Sequence, residues 1–171
     1  MYPGHFAAGL ALKTIKPEAP TWALLVGVGL LDWLFGLFVA LGVEGGKIGH
    51  LNIPWSHSLV MSIVWSGLFA SLFWRRGRAI VLIMFVAVMS HWVLDLLSHQ
   101  PDMTLWPYAS KQIGLGPYFG GLAGWLEVLV TVVATTWYAI SAKHGQGYGR
   151  HWGVVCGIMA VLYGVEYLTV P

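Results

Sequence analysis

Apolar residues in this chain come in long blocks rather than with the stripe of an amphipathic helix. Positions 20–43, 58–74, 79–98, 120–142 and 152–170 are close to uniformly apolar, broken by glycines and single polar residues. A helix that is apolar all round has no water-facing side, and about 20 such residues cross the hydrocarbon core of a bilayer. The blocks therefore predict five transmembrane helices. The opening stretch, Met1 to Lys16, is apolar but too short to span. It lacks the basic start and small-residue cleavage site of a signal peptide, so it reads as a retained short helix at half depth, covered by protein at its polar ends. Pro54 and Pro107 fall in connections, where a missing amide donor does little harm. No internal repeat, low-complexity tract or linker divides the chain, so residues 1–171 form one domain. The expected fold is all-α, a polytopic transmembrane helix bundle of five spans plus the short N-terminal half-depth helix.

Composition agrees with the blocks. The chain is 57% hydrophobic and 9% charged, against about 25% charged in a soluble domain. That excludes a soluble globule, a disordered chain and a nucleic-acid binder built on a basic patch. Cys156 is the single cysteine, which excludes an internal disulfide and a cysteine-rich zinc knuckle.

The net charge of +2 matters only through where the charges sit. With alternating spans, Lys13, Lys16, Arg75, Arg76, Arg78, Lys143 and Arg150 share one side, and only Lys47 and Lys111 fall opposite. The positive-inside rule then places the N-terminus inside and the C-terminus outside, with the long connections 44–57 and 99–118 external. Trp22, Trp55, Trp74, Trp106 and Trp152 sit near span ends, as interfacial tryptophans do.

Span position also gives depth, at about 1.5 Å per helical residue. Asp32 stands roughly 18 Å above the inner end of its span, and His91 roughly 20 Å above Arg78. Asp95 and His99 follow His91 at one-turn intervals, His57 caps the outer end of the second span, and Glu127 lies roughly 10 Å in from outside. His5 rises toward the same level if its helix is rooted at Lys16. Independent segments thus gather their ionisable groups in the outer half of the bilayer.

The string His91-Trp-Val-Leu-Asp95-Leu-Leu-Ser-His99 puts three such side chains on one helical stripe. Imidazole and carboxylate are zinc-type ligands, and two of them one turn apart can grip one ion. Asp95 could instead accept the ring N–H of a ligating histidine. A lone buried histidine is more often a packing residue, and for His5 or His57 alone that reading would stand. Intramembrane acids differ, because each costs at least about 2.5–3.5 kcal/mol to insert and marks function by default. Asp32 and Asp95 have no basic partner in their spans. Glu127 is open between catalytic base, ligand and structural hydrogen bond. Glu166 reads as structural, His144 and His151 as solvated, and Gly153 with Gly157 as a helix-packing pair. His50 could line the external mouth.

These residues resemble the YdjM-like family of membrane-bound metal-dependent hydrolases of the bacterial inner membrane. The resemblance rests on His5, on Asp32 in the first long helix, on Ser56-His57-Ser58 opening the next, and on His91-x-x-Leu-Asp95. The run His99-Gln-Pro-Asp102-Met-Thr-Leu-Trp-Pro107, with Gly114-Leu-Gly116 after it, is similar to a subgroup of such sequences. Two places depart from the fuller pattern. Leu31-Asp32-Trp33-Leu34 has one acid in place of Pro-Asp-x-Asp, and Trp55-Ser56-His57 replaces Arg-x-x-Thr-His.

The resulting expectation is a hydrolase in which a divalent metal, zinc first, is held by some of His5, Asp32, His57, His91 and Asp95. Such an ion lowers the pKa of water toward 7. Asp95 or Glu127 would take the proton, with His99 as a further catalytic group. His50, Asp102 and Trp106 would line the substrate approach, beside an aromatic loop of Tyr108, Tyr118 and Phe119. The outer level suits an ester or phosphoester headgroup of an amphiphilic, lipid-like substrate, with its tails between helices. Two other expectations are a non-enzymatic cation or proton pathway, and a structural membrane subunit whose polar cluster fixes helix packing.

Overall fold

The computed structural model describes residues 2–47, 50–116, 121–145 and 152–169; the side chains of 2, 47, 50, 121–124, 152 and 162–169 lie outside that description. Helices α1 (Tyr2–Ile15), α2 (Thr21–Ala40), α3 (Leu59–Ser71), α4 (Arg78–Ser98), α5 (Gly121–His144) and α6 (Trp152–Thr169) follow one another along the chain. Of these, α2, α4 and residues 125–144 of α5 are long and apolar enough to cross a membrane.

The five expected spans are thus matched in part. The block 58–74 yields only a 13-residue helix, because its last residues leave α3 for a turn and the 3₁₀ helix Trp74–Arg76. An α-helix of that length is about 20 Å long, short of the core it was expected to cross. Nor is the chain wholly helical. The connection after α2 carries a small antiparallel hairpin, β1 (Gly45–Lys47) with β2 (His50–Asn52), and the one after α4 carries β3 (Met103–Thr104) with β4 (Gln112–Ile113).

The N-terminal helix is the centrepiece. It packs against α2, α4, α5 and α6, with Ala7 and Leu10 fully buried. Its end is fixed by Lys13, whose ammonium is buried and donates to the carbonyls of Pro17 and Ala19 at 2.5 and 2.9 Å. A buried charge is tolerable when its donors are used in this way, and the bond pins the α1–α2 turn. Gly27 lets α2 approach closely: a Cβ there would stand 3.0 Å from Phe69 and 3.2 Å from Ala87. Ser58, just before α3, and Ser62 and Ser66 on it recur one turn apart, all fully buried, and α3 packs mainly on α4. Small side chains at such a seam bring helix axes together.

The two ends of the bundle differ in chemistry. Trp22 meets Phe73 at one end, near Lys16, Arg75, Arg76 and Arg78. His5, His57 and Asp95 meet at the other, so the start of α1 lies level with the last turns of α4. The outer surface is apolar, with Trp33, Leu37, Ile63, Val64, Leu68, Leu82 and Leu129 exposed. Such a surface suits lipid, which offers backbone and polar groups no hydrogen bonds.

Candidate metal centre

Four elements contribute to one buried polar cluster. His5 comes from α1, Asp32 from α2, His57 from the residues just before α3, and His91 with Asp95 from adjacent turns of α4. His57 Nε2 and His91 Nε2 are 3.4 Å apart. Asp32 Oδ1 lies 3.5 Å from each, and Asp95 Oδ2 lies 3.3 Å from His57 and 3.1 Å from His91. The other Asp95 oxygen, Oδ1, is 3.1 Å from His5 Nε2 and 3.5 Å from His99 Nε2.

These spacings can be set against coordination geometry. Nitrogen and oxygen ligands about 2.0–2.1 Å from a tetrahedral zinc ion stand about 3.3 Å from one another. Separations of 3.1–3.5 Å therefore match ligand atoms that share one ion. The groups Asp32, His57, His91 and His5, His91, Asp95 could each hold a metal ion.

The opposite ring nitrogens decide which atoms face the centre. His91 Nδ1 sits 2.6 Å from the Val28 carbonyl oxygen, which can only accept, so Nδ1 carries the proton. His57 Nδ1 lies 2.7 Å from Ser56 Oγ, whose hydroxyl in turn donates to Glu44 Oε2 at 2.7 Å. With its one hydrogen given to a carboxylate, Ser56 is left to accept from His57 Nδ1–H. With Nδ1 so occupied, each ring in its neutral form turns an Nε2 lone pair inward. Two such lone pairs at 3.4 Å repel unless a metal ion lies between them or a proton on one Nε2 is shared with Asp32 or Asp95. Fixing the ring through an outward N–H is how metal-binding histidines are oriented.

The supporting groups are themselves tied down. Glu44 is buried in the connection after α2 and also accepts the amides of Trp55 and Ser56 at 2.6 and 2.8 Å. The His57 carbonyl accepts from Trp92 Nε1 at 2.9 Å. Glu44 was not among the expected site residues. Its signal in the sequence is an acid within an apolar connection, but only the hairpin fold reveals that it faces Ser56.

His99 and Asp102 form a second pair, with Nδ1 3.1 Å from Oδ1. Asp102 is buried behind His99 and turns Nε2 toward Asp95, rather than lining an open approach. The loop that carries them is clamped to α4: Leu115 N–H donates to the Leu96 carbonyl and Gly116 N–H to that of His99. Gly114 and Gly116 make this possible, since a Cβ at either would strike the backbone at Gln100 or Leu97.

The other expected residues lie farther out. Glu127 is half-buried on α5 and accepts the Gly4 amide at 3.3 Å, beside His5 in a shared cavity. Trp106 is exposed at 56%, and Tyr108 accepts from Trp55 Nε1 at 3.1 Å. The side chains of His50 and Glu166, and residues Tyr118, Phe119 and His151, lie outside the described residues. His144 is exposed at the end of α5.

No curated protein and no solved structure matches the chain. A family does: the YdjM inner membrane protein family matches residues 3–169, nearly the whole length, and the chain belongs to it.

Proposed function

We propose that this membrane protein is a metal-dependent hydrolase, acting on an ester or phosphoester of an amphiphile at the outer side of the membrane, with zinc as the first candidate metal. The observation that carries the reading is the facing pair of Nε2 atoms on His57 and His91, flanked by Asp32 and Asp95. Two ring nitrogens and two carboxylate oxygens facing one another at 3.1–3.5 Å are a donor set of the kind that holds one divalent ion.

Asp32, His57, His91 and Asp95 would hold the ion. When bound, it supplies Lewis-acid polarisation and a lowered pKa for water. The side chain of Asp32 is 24% exposed and those of the other three at most 6%, so Asp32 is the most open member of the set. His99, held by Asp102, is positioned to accept a proton at Nε2 and return it to a leaving oxygen. Asp95 joins the two functions through its two oxygens. The aliphatic packing around α4 excludes bulk water, which strengthens each of these interactions.

A transport pathway would need polar groups through the whole depth. Among the described residues, α2 carries no ionisable side chain from 21 to 31 and α4 none from 79 to 90, so the polar groups do not run through the whole depth.

The test is hydrolysis of a panel of phospholipid and isoprenyl phosphoesters by the purified protein and by Asp95→Asn. We expect loss of at least about 100-fold in the variant, as for removal of an essential polar group. Equal activity, or none in the wild type with any divalent metal, would overturn the reading.

A further inference from the structure

Helices α4 and α5 are adjacent at the end that carries the polar cluster, yet they scarcely touch; α5 packs chiefly on α1. Between them lies a cavity of ≈ 100 Å³. Leu94 and Leu97 form one wall and Leu126 and Val130 the other, while His5 and Glu127 stand at its inner end. Leu97 and Leu126 are 42% and 40% exposed, so the walls run out onto the apolar surface of the bundle.

We propose that this gap is a lateral port that admits one hydrocarbon chain of a membrane amphiphile from the bilayer and seats it beside His5 and Glu127. The occupant follows from the surroundings. Both walls belong to helices apolar enough to cross a membrane, so what lies against the open rim is lipid, not water. An apolar cavity of about 150 Å³ takes up a benzene, so this one holds a few methylenes, the part of a chain nearest its headgroup. His5 then links the port to the centre, since its Nε2 is 3.1 Å from Asp95 and its ring centroid is 4.1 Å from that of His91. Gly4 keeps the inner end narrow: a Cβ there would stand 2.9 Å from Glu127 Cγ. The identity of the head as an ester or phosphoester rests on the proposed hydrolysis; the chain-binding role of the port does not.

The experiment is photolabelling in vesicles of phosphatidylethanolamine and phosphatidylglycerol, with a trace of phosphatidylglycerol carrying a diazirine in the upper third of one acyl chain. Labelling should concentrate on Leu94, Leu97, Leu126 and Val130 over Val64 and Leu68, which are exposed on α3. Val130→Trp should reduce it at least fivefold at the port and leave α3 unchanged. Leu97→Trp, at the exposed rim, gives a second variant should the first fail to fold, with the same expected loss. Even labelling of all lipid-facing positions, or no change in the folded variants, would overturn the port. Because labelling needs no turnover, an inactive protein that labels here would refute hydrolysis alone.

Discussion

His57 and His91 present their Nε2 atoms to each other at 3.4 Å, while each ring gives its Nδ1 proton to an acceptor on the far side. The acceptors are unlike. For His91 it is the backbone carbonyl of Val28, which no side-chain substitution removes; for His57 it is Ser56, backed by Glu44. Ser56→Ala should therefore loosen one ligand and spare the other. Loss of such an orienting group typically costs about 10–100-fold in metal affinity, and zinc competition with a chelating dye would measure it.

On the proposed mechanism, Asp102 serves the group that moves a proton and does not itself hold the metal. Its Oδ1 lies 3.1 Å from His99 Nδ1. Asp102→Asn should keep the metal content of the wild type and lower turnover about 10–100-fold, the contribution of one general acid or base. Parallel elemental analysis and lipid hydrolysis would show the split; equal loss of both would place Asp102 in the structural support of the site.

The glycines of the α4 clamp carry a stability prediction. At Gly114 an added methyl meets the Gln100 and His99 carbonyls, which are backbone and cannot swing aside. Gly114→Ala should destabilise the protein by about 1–3 kcal/mol, the usual range for overpacking, seen as a lower unfolding midpoint in detergent. Gly67→Ala on α3, where a Cβ meets nothing within 4 Å, is the matched control.

Acid should displace the metal. Ligation uses neutral imidazole nitrogens, so protons compete for the same Nε2 atoms of His57 and His91. Retained metal should fall as pH is lowered and return on neutralisation, measured by dialysis across a pH series. Retention that does not change with pH would argue against histidine ligation.

Much of the site was legible before the fold. Few ionisable residues occur in the apolar blocks, and counting residues from the basic ends placed Asp32, His91 and Asp95 at one level, where the structure brings them together. The i, i+4 spacing of His91 and Asp95 gave their shared face. What the sequence hid depends on connections. Glu44 lies 12 residues from Ser56, and only the intervening hairpin returns the chain to it. Asp102 was expected on an approach path, but the Gly114–Gly116 clamp folds its loop inward. The block 58–74 suggested a full span because hydropathy does not register the turn at Leu72 and Phe73. Helix identity and depth follow from composition; helix length and loop direction follow from turns and close contacts.

The most direct test of the account is the zinc content of protein purified without added chelator, by elemental analysis, for wild type, His91→Ala and Lys16→Ala. Lys16 pairs with Glu18 at the opposite end of the bundle and serves as the control. The account predicts metal bound in stoichiometric amount by the wild type and by Lys16→Ala, and its loss from folded His91→Ala. Wild-type protein that takes up no divalent metal, or His91→Ala that retains it in full, would contradict the account.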